Sequence, residues 1–328
     1  MTVYYRPLIE ERGRFLLAGG WCCFSQVEVL QRMTEPRVCA AVDIPDEALL
    51  RLTELRPDLG MDGMHRPQVM GILNATPDSF SDGGQFDTLA AGLAHAQSMR
   101  HDGADMIDIG GESTRPGADY VDVADEIART VPTVTELRQE IALPLSIDTR
   151  KAGVAEAAVL AGADWVNDVS ALSFDENMAR FVVRSGAPIC LMHAPSDPKT
   201  MQQHATYGNV LLDVYDYLAE RIEFALAHGI VREKIIVDPG IGFGKTLEHN
   251  LALLRGLALF HGLGCPILLG ASRKRFIGII SGAEQVEDRM PGSVAVALAA
   301  AAQGVQIIRV HDVLPTVQAL KIWAAVRG

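Results

Sequence analysis

The segment IIVDPGIGFGKT, Ile235 to Thr246, brings together a carboxylate at Asp238 and an ammonium at Lys245. Its Gly-Lys-Thr ending suggests a phosphate-cradling loop, which requires G-x-x-x-x-G-K-[ST] so that backbone N–H groups wrap the phosphates. Counting back from Gly244-Lys245-Thr246, the required glycine falls on Pro239, and Gly240 comes one residue too late. The spacing excludes that loop. What remains is an apolar strand that carries Asp238 to its end, a Pro-Gly turn, and glycines that let the backbone pass close to a flat ligand.

Asp238 is one of a series. Short apolar runs end at Asn74, Asp108, Asp148, Asn167-Asp168, His193, Asp238, Ser272 to Lys274, and Arg309 with His311. Any one of these could cap a helix. A whole series converging on one rim is better explained as a site. No Ser-His-Asp or Cys-His arrangement accompanies them.

The elements that must position these residues are legible as a rhythm. From Val69 the runs VMGILN, MIDIG, LSID, WVNDV, PICLMH, IIVD, PILLG and QIIRV alternate with helix-like stretches such as LAAGLAHAQSMRHDGA and KAGVAEAAVLAGA. Continuous apolar strands with helices between them form a parallel sheet covered on its outer side. A βα unit repeated eight times over this length predicts a (β/α)8 TIM barrel, in which C-terminal strand ends build the active site. The dinucleotide fingerprint GxGxxG is absent after the first run, which disfavours an open doubly wound sheet. Residues 67–328 are assigned to the barrel. Residues 1–66, punctuated by Pro36, Pro45 and Pro57, form a short N-terminal extension with a helix expected over DEALLRLTEL, Asp46 to Leu55.

Composition narrows the function classes. The chain has 328 residues, 48% hydrophobic and 6% aromatic, with a formal net charge of −12. No global basic field draws it to nucleic acid or an anionic membrane, so an anionic substrate would need positive charge concentrated locally. There is no apolar run long enough to span a bilayer and no signal-peptide order at the N-terminus, which predicts a cytoplasmic protein. The five cysteines are odd in number and form no CxxC pair; Cys190 and Cys265 read as buried thiols rather than zinc ligands.

Taken together, the strand-end segments resemble the dihydropteroate synthase family, from about Val69 to the C-terminus. They are GILNATPDSFSDGG (71–84), DIGGESTRPGA (108–118), SIDTRKA (146–152), WVNDVSAL (165–172), LMHAPSDPKTMQ (191–202), VDPGIGFGKT (237–246), GASRKRFIG (270–278) and RVHDV (309–313). Each alone is moderately specific; in order, one per βα unit, they are very specific. The resemblance implies condensation of 6-hydroxymethyl-7,8-dihydropterin diphosphate with p-aminobenzoate, giving dihydropteroate and diphosphate in folate synthesis. It implies that Asp238 accepts the pterin's paired donors, that Asp148 and Asn167 contact the same ring, and that Lys274 donates to it. Met192 would supply an apolar wall. Asn74 would ligate Mg²⁺, with Arg309 and His311 on the phosphate oxygens. The loops TPDSFSDGGQF (76–86) and GESTRPGADY (111–120) would close over the diphosphate and the aminobenzoate. There Phe80 and Pro116 would wall the aromatic ring, and Thr114 and Arg115 would reach the phosphates. Backbone N–H groups around Arg275, opening a helix, would hold the aminobenzoate carboxylate. Diphosphate would depart before the amine attacks, an SN1-like route with Asp148, Lys274, Arg309 and His311 acting electrostatically. Partners are small-molecule substrates, with a homodimer expected and sulfonamides as competitors.

Two other classes share parts of this pattern. A methyltransferase barrel passing a methyl group from a folate to a corrinoid partner needs the pterin carboxylate but no diphosphate site. A non-catalytic pterin-binding barrel needs the rim only. The basic residues of GESTRPGADY and RVHDV favour the synthase. Departures from the family pattern are Arg150 within SIDTRKA, MHAPSDP where a Met-Gln-Gly-type loop is usual, and the extension.

Overall fold

The run Gln68–Asn74 shows how the sequence makes the barrel. Alternate side chains of a strand face opposite ways, so Met70 joins an interior apolar layer while Val69 and Leu73 pack outward in the larger core beneath the helices. The same division repeats along the chain in a computed structural model, which describes residues 2–75, 85–113, 118–195 and 205–327.

The barrel strands are β5 (Gln68–Asn74), β6 (Met106–Gly110), β7 (Leu145–Asp148), β8 (Trp165–Asp168), β9 (Ile189–Met192), β10 (Ile235–Asp238), β11 (Leu268–Gly270) and β12 (Ile307–Val310). They are parallel, in the order β10-β9-β8-β7-β6-β5-β12-β11, and a bridge between Val237 and Ile267 closes the ring. Around them lie α2 (Gln85–His101), α3 (Val123–Glu140), α4 (Ala152–Leu160), α5 (Met178–Ser185), α6 (Val210–Ala227), α7 (Leu247–Arg255), α8 (Arg275–Ser281), α9 (Met290–Ala301) and α10 (Val313–Arg327). The fold is the expected (β/α)8 TIM barrel, with two helices between β11 and β12. Among the described residues no helix is long and apolar enough to cross a membrane. Cys190 and Cys265 are buried free thiols, as expected.

Met70, Met106, Trp165, Cys190, Ile236, Leu268 and Ile307 fill the barrel's lower interior. Leu59, Met61 and Met64 join them from the segment that precedes β5, and the Trp165 indole N–H donates to the Leu59 carbonyl at 2.9 Å. Each buried side chain of this size contributes ~1.5–3 kcal/mol by leaving water. The apolar floor obliges the polar groups on the same strand faces to gather above it, toward the C-terminal ends.

The extension holds more structure than its sequence announced. Besides α1 (Asp46–Thr53), it forms a four-stranded antiparallel sheet of β1 (Tyr4–Glu10), β2 (Phe15–Leu16), β3 (Cys23–Leu30) and β4 (Arg37–Ala40). On β3, Val27 and Val29 point inward in period two, but Phe24 is also buried. The register shift opposite Leu8 and Ile9 explains this, because a bulge moves the buried face by one residue and breaks the alternation. Tyr4 donates its hydroxyl to Asp216 at 2.9 Å and Arg32 pairs with Asp213 at 2.6 Å, tying the sheet to α6. The Trp21 indole N–H reaches the Ala301 carbonyl at the end of α9 at 2.8 Å.

Candidate active site

Four strands bring one charge cluster together. From β12, the Arg309 Nε donates to Asp108 Oδ2 on β6 at 2.6 Å, and its Nη2 to Asp148 Oδ2 on β7 at 2.8 Å. From β8, Asn167 Nδ2 donates to the same Asp108 oxygen at 3.1 Å. Asp108 is fully buried and Asp148 nearly so. The second oxygen of each, Oδ1, is buried without a partner among the described residues. A buried acceptor left open costs ~1–3 kcal/mol, so these two oxygens are poised to take donors from a ligand. Burial pushes the Asp148 carboxyl up to about 7, with Arg309 pulling the other way. Burial lowers the Arg309 guanidinium's pKa, but Asp108 and Asp148 more than offset that.

Asp238 stands across Gly270 from Arg309. A Cβ on Gly270 would lie 3.8 Å from Arg309 Cδ and 3.9 Å from Asp238 Oδ2, so the absent side chain leaves a gap flanked by both. Burial raises the Asp238 carboxyl, opposed by Lys274 and by the Gly240 N–H that Oδ1 accepts at 2.7 Å. Lys274 precedes α8. Its Nζ donates to the Ile241 carbonyl and lies 4.4 Å over the Phe243 ring. Burial lowers the Lys274 ammonium to about 8, against the attraction of Asp238. Asp148, Asp238, Lys274 and Arg309 therefore form one electrostatically linked group.

The other anticipated residues fall as follows. Met192, inward and buried on β9, pairs in register with Asp238. Asn74 ends β5 half-buried, opposite Gly110 in the register that places Asp148 next along. His311 follows β12, and both its backbone N–H and its Nδ1 meet Ser272 Oγ, at 3.2 and 3.1 Å. Arg275 is exposed as the first residue of α8, its side chain turned to solvent. Phe80, Thr114, Arg115 and Pro116 lie outside the described residues.

Not every strand-end group belongs to the cavity. Asp168 faces outward and caps its own loop, accepting from Ser170 N at 2.8 Å and Leu172 N at 2.7 Å. Arg150, noted as a departure, lies with Lys151 in a buried ion-pair network: Glu112 meets Arg150 at 3.2 Å and Lys151 at 3.1 Å, and Glu126 meets Lys151 at 2.5 Å. It braces the chain leading into residues 118–121, where the Val121 N–H donates to Glu112 at 3.0 Å.

Three participants were not among the residues assigned from sequence. Asp108 was noted as a strand end, and its inward parity on β6, two residues below Gly110, was the signal that could have promoted it. Lys245 and His193 meet in the interior, Nζ to Nδ1 at 2.9 Å, and no sequence spacing announces that pairing.

Among the described residues, no three His, Cys, Asp or Glu side chains gather closely enough to hold a metal ion. Asn74 offers a single amide oxygen. An amide oxygen is a hard donor of the kind Mg²⁺ accepts alongside water and substrate oxygens.

The chain as a whole is similar to known proteins. The protein family described as "Pterin binding enzyme" matches residues 70–311. The dihydropteroate synthase of Synechocystis sp. is 46% identical over 257 residues, covering 78% of this chain and 89% of that protein. The Xanthomonas albilineans dihydropteroate synthase, solved with 4-aminobenzoic acid, superposes with a TM-score of 0.79 at 45% identity, covering 83% of this chain and 98% of that one. The same organism's enzyme in complex with 7,8-dihydropteroate gives a TM-score of 0.75 at 42% identity, with 83% and 99% covered. Barrel, rim and sequence lead to one assignment: this chain belongs to the dihydropteroate synthase family of pterin-binding enzymes.

Proposed function

We infer that the chain condenses 6-hydroxymethyl-7,8-dihydropterin diphosphate with p-aminobenzoate, giving 7,8-dihydropteroate and diphosphate for folate biosynthesis. The observation that carries the reading is the gathering of open, buried carboxylate oxygens with Lys274 and Arg309 in one cluster toward the C-terminal ends of the strands, within a chain this similar to synthases.

The residue roles are those the family resemblance implies, and the charge cluster of the described residues supports those of Asp148, Asn167, Asp238, Lys274 and Arg309. Asp238 accepts the pterin's exocyclic amino group and adjacent ring N–H, a bidentate arrangement that a carboxylate suits. Asp148 and Asn167 meet the same ring, Lys274 donates to its carbonyl side, and Met192 walls one face. Arg309, with two nitrogens on Asp108 and Asp148, uses its Nη1 to reach the diphosphate alongside His311. Thr114 and Arg115 serve the phosphates, Phe80 and Pro116 the aminobenzoate ring, and the backbone at Arg275 its carboxylate. Asn74 would hold Mg²⁺, which supplies charge neutralisation at the diphosphate.

The CH₂–O bond breaks with its electron pair leaving on diphosphate. Positive charge spreads into the pterin, where Asp148 and Asp238 favour it. The aminobenzoate nitrogen then bonds to the CH₂ carbon and gives up a proton. An SN1-like order requires no side-chain nucleophile, consistent with the residues present.

The domain division follows the same reading: residues 67–328 are the pterin-binding barrel and 1–66 an extension that seals its lower end. A cytoplasmic location goes with folate synthesis, and neither nucleic acid nor membrane is a partner. A homodimer is supported by an apolar outer face: α9 carries no charged residue, and Ile279, Ile280, Leu314 and Ile322 are exposed on the adjoining α8 and α10. The test is diphosphate release by purified protein with each of the pterin diphosphate, p-aminobenzoate and Mg²⁺ omitted in turn. Release is expected only when all three are present, and its absence from the complete mixture would remove the reading.

A further inference from the structure

Lys245 is 5% exposed, and the chemistry above gives it no task. Its Nζ lies 2.9 Å from His193 Nδ1, 2.9 Å from the Phe243 carbonyl and 3.5 Å from the His193 carbonyl. Its hydrogens thus join the residue that follows β9 to the loop that follows β10. The His193 backbone N–H extends the tie by donating to the Asp238 carbonyl at 3.0 Å. The Tyr217 ring, edge-on at 4.8 Å, fixes the imidazole plane.

The fastened loop carries the front of the pterin half-site. It begins at Asp238 and passes so close to His193 that a Cβ on Gly240, at φ 66°, would lie 2.0 Å from the His193 carbonyl oxygen. The next residues provide the Ile241 carbonyl and the Phe243 ring on which the Lys274 ammonium rests. A Cβ on Gly242 would meet Lys274 Cδ at 3.0 Å, so any drift of this loop displaces that side chain. Lys245 stands behind the stretch whose front presents Asp238 and Lys274.

We propose that Lys245, hydrogen-bonded to His193, is a positioning residue for the pterin half-site, holding residues 239–243 so that the Asp238 carboxylate and the Lys274 ammonium meet the ring together. The proposal rests on the reading of Asp238 and Lys274 as pterin contacts. Burial, with Lys245 adding to it, drives the His193 pKa down to about 2, so the imidazole is neutral and Nδ1 is an acceptor. The pair is therefore asymmetric: Lys245 donates and His193 receives.

The test is steady-state kinetics on four variants of the full-length protein, varying each substrate separately. Lys245→Met keeps the volume and removes the donors; it is expected to raise KM for the pterin diphosphate tenfold or more while KM for p-aminobenzoate stays within twofold. His193→Phe, which removes the acceptor, should behave alike. His193→Asn, whose amide oxygen occupies the place of Nδ1, should restore the pterin KM to within threefold of the parent. Asp238→Asn serves as the control for the underlying reading. If Asp238→Asn loses pterin affinity and Lys245→Met does not, the positioning role is wrong. If Asp238→Asn itself binds normally, the pterin assignment has failed instead. Equal rises in both KM values, or a lower melting temperature with both unchanged, would reduce Lys245 to ordinary scaffolding. Should Lys245→Met not fold, the contrast between His193→Phe and His193→Asn decides alone.

Discussion

Replacing Arg309 with Met is the most direct probe of how the cavity's charges are held. Asp108 is 0% exposed and Asp148 7%, and Arg309 meets both at 2.6 and 2.8 Å. Removing one partner of a buried ion pair costs ~3–5 kcal/mol, because the remaining charge is stranded in a medium that solvates it poorly. The Arg309 side chain keeps 20% of its exposure, which favours the lower end, about 3 kcal/mol. In a domain this large that corresponds to a fall of roughly 6–12 °C in Tm. The loss has a predictable pH dependence. Asp148 already sits near 7, so without Arg309 it takes up a proton more readily still. The destabilisation should therefore be greatest near pH 8 and shrink toward about pH 5.5, where a stranded carboxylate neutralises itself. Asp108→Asn added to Arg309→Met should return at least half of the lost stability by removing the stranded charge. Thermal unfolding of the single and double variants at both pH values is the measurement. An unchanged Tm at pH 8, or a loss equal at both values, would show that Arg309 does not neutralise this pair.

Four further outcomes are expected. The rate kcat/KM for the pterin diphosphate should follow a narrow bell, rising as Asp148 ionises near 7 and falling as Lys274 loses its proton near 8; Lys274→Arg should carry the falling limb above about pH 9, since a guanidinium holds its proton. Because Asp148 is raised in the folded state, the ligand-free protein retains that proton between about pH 4 and 7, and this group's contribution to stability should decline as pH rises through the window, as melting curves would register. Chelation of Mg²⁺ should stop diphosphate release, and Asn74→Ala should raise the Mg²⁺ concentration for half-maximal rate several-fold, with p-aminobenzoate KM unmoved; an unchanged requirement would dismiss Asn74 as a ligand. Met64→Ala, 2% exposed under the barrel, should cost ~2–5 kcal/mol in denaturant unfolding while leaving both KM values alone, since it acts on the floor and not the site.

The barrel was legible because its strands are nearly continuous apolar runs ending in hydrogen-bonding residues, and that pattern survives without tertiary information. The Asp148 and Asp238 positions were legible for the same reason. What could not be read was pairing across the barrel. Asp108, two residues before the end of β6, and Asp168, at the end of β8, are both acidic, yet one faces Arg309 and Asn167 and the other caps a turn, a difference set by inward parity on β6 and outward parity on β8. Likewise the sequence shows Lys245 within a Gly-Lys-Thr that resembles a phosphate loop, and only the fold reveals that it turns to a histidine 52 positions away. The extension's sheet was hidden by the bulge in β3, which breaks the alternation from which a strand is recognised.

The arrangement of the charges bears on the reaction itself. Asp108 and Asp148 face Arg309 and Asp238 faces Lys274, while Lys245, behind the loop, is driven by burial well below its ordinary pKa, so the facing groups carry one net negative charge when all are ionised, which suits a ring that turns cationic. Burying any of these singly would cost several kcal/mol; burying the three carboxylates is tolerable because each has Arg309 or Lys274 beside it. Their titration sharpens the point. Asp148 and Lys274, the members moved to about 7 and about 8, straddle neutrality, so the cavity holds its charge pattern over only a narrow pH range. A site that simply gripped a pterin would gain nothing from groups so close to losing their charge. A site that must favour positive charge on the ring as an anion departs gains from carboxylates kept poorly solvated, because such groups respond most strongly to a cation appearing beside them. On this reasoning the depth at which the acids are buried is a feature of catalysis, and variants that let water reach Asp148 should weaken kcat more than they weaken pterin binding.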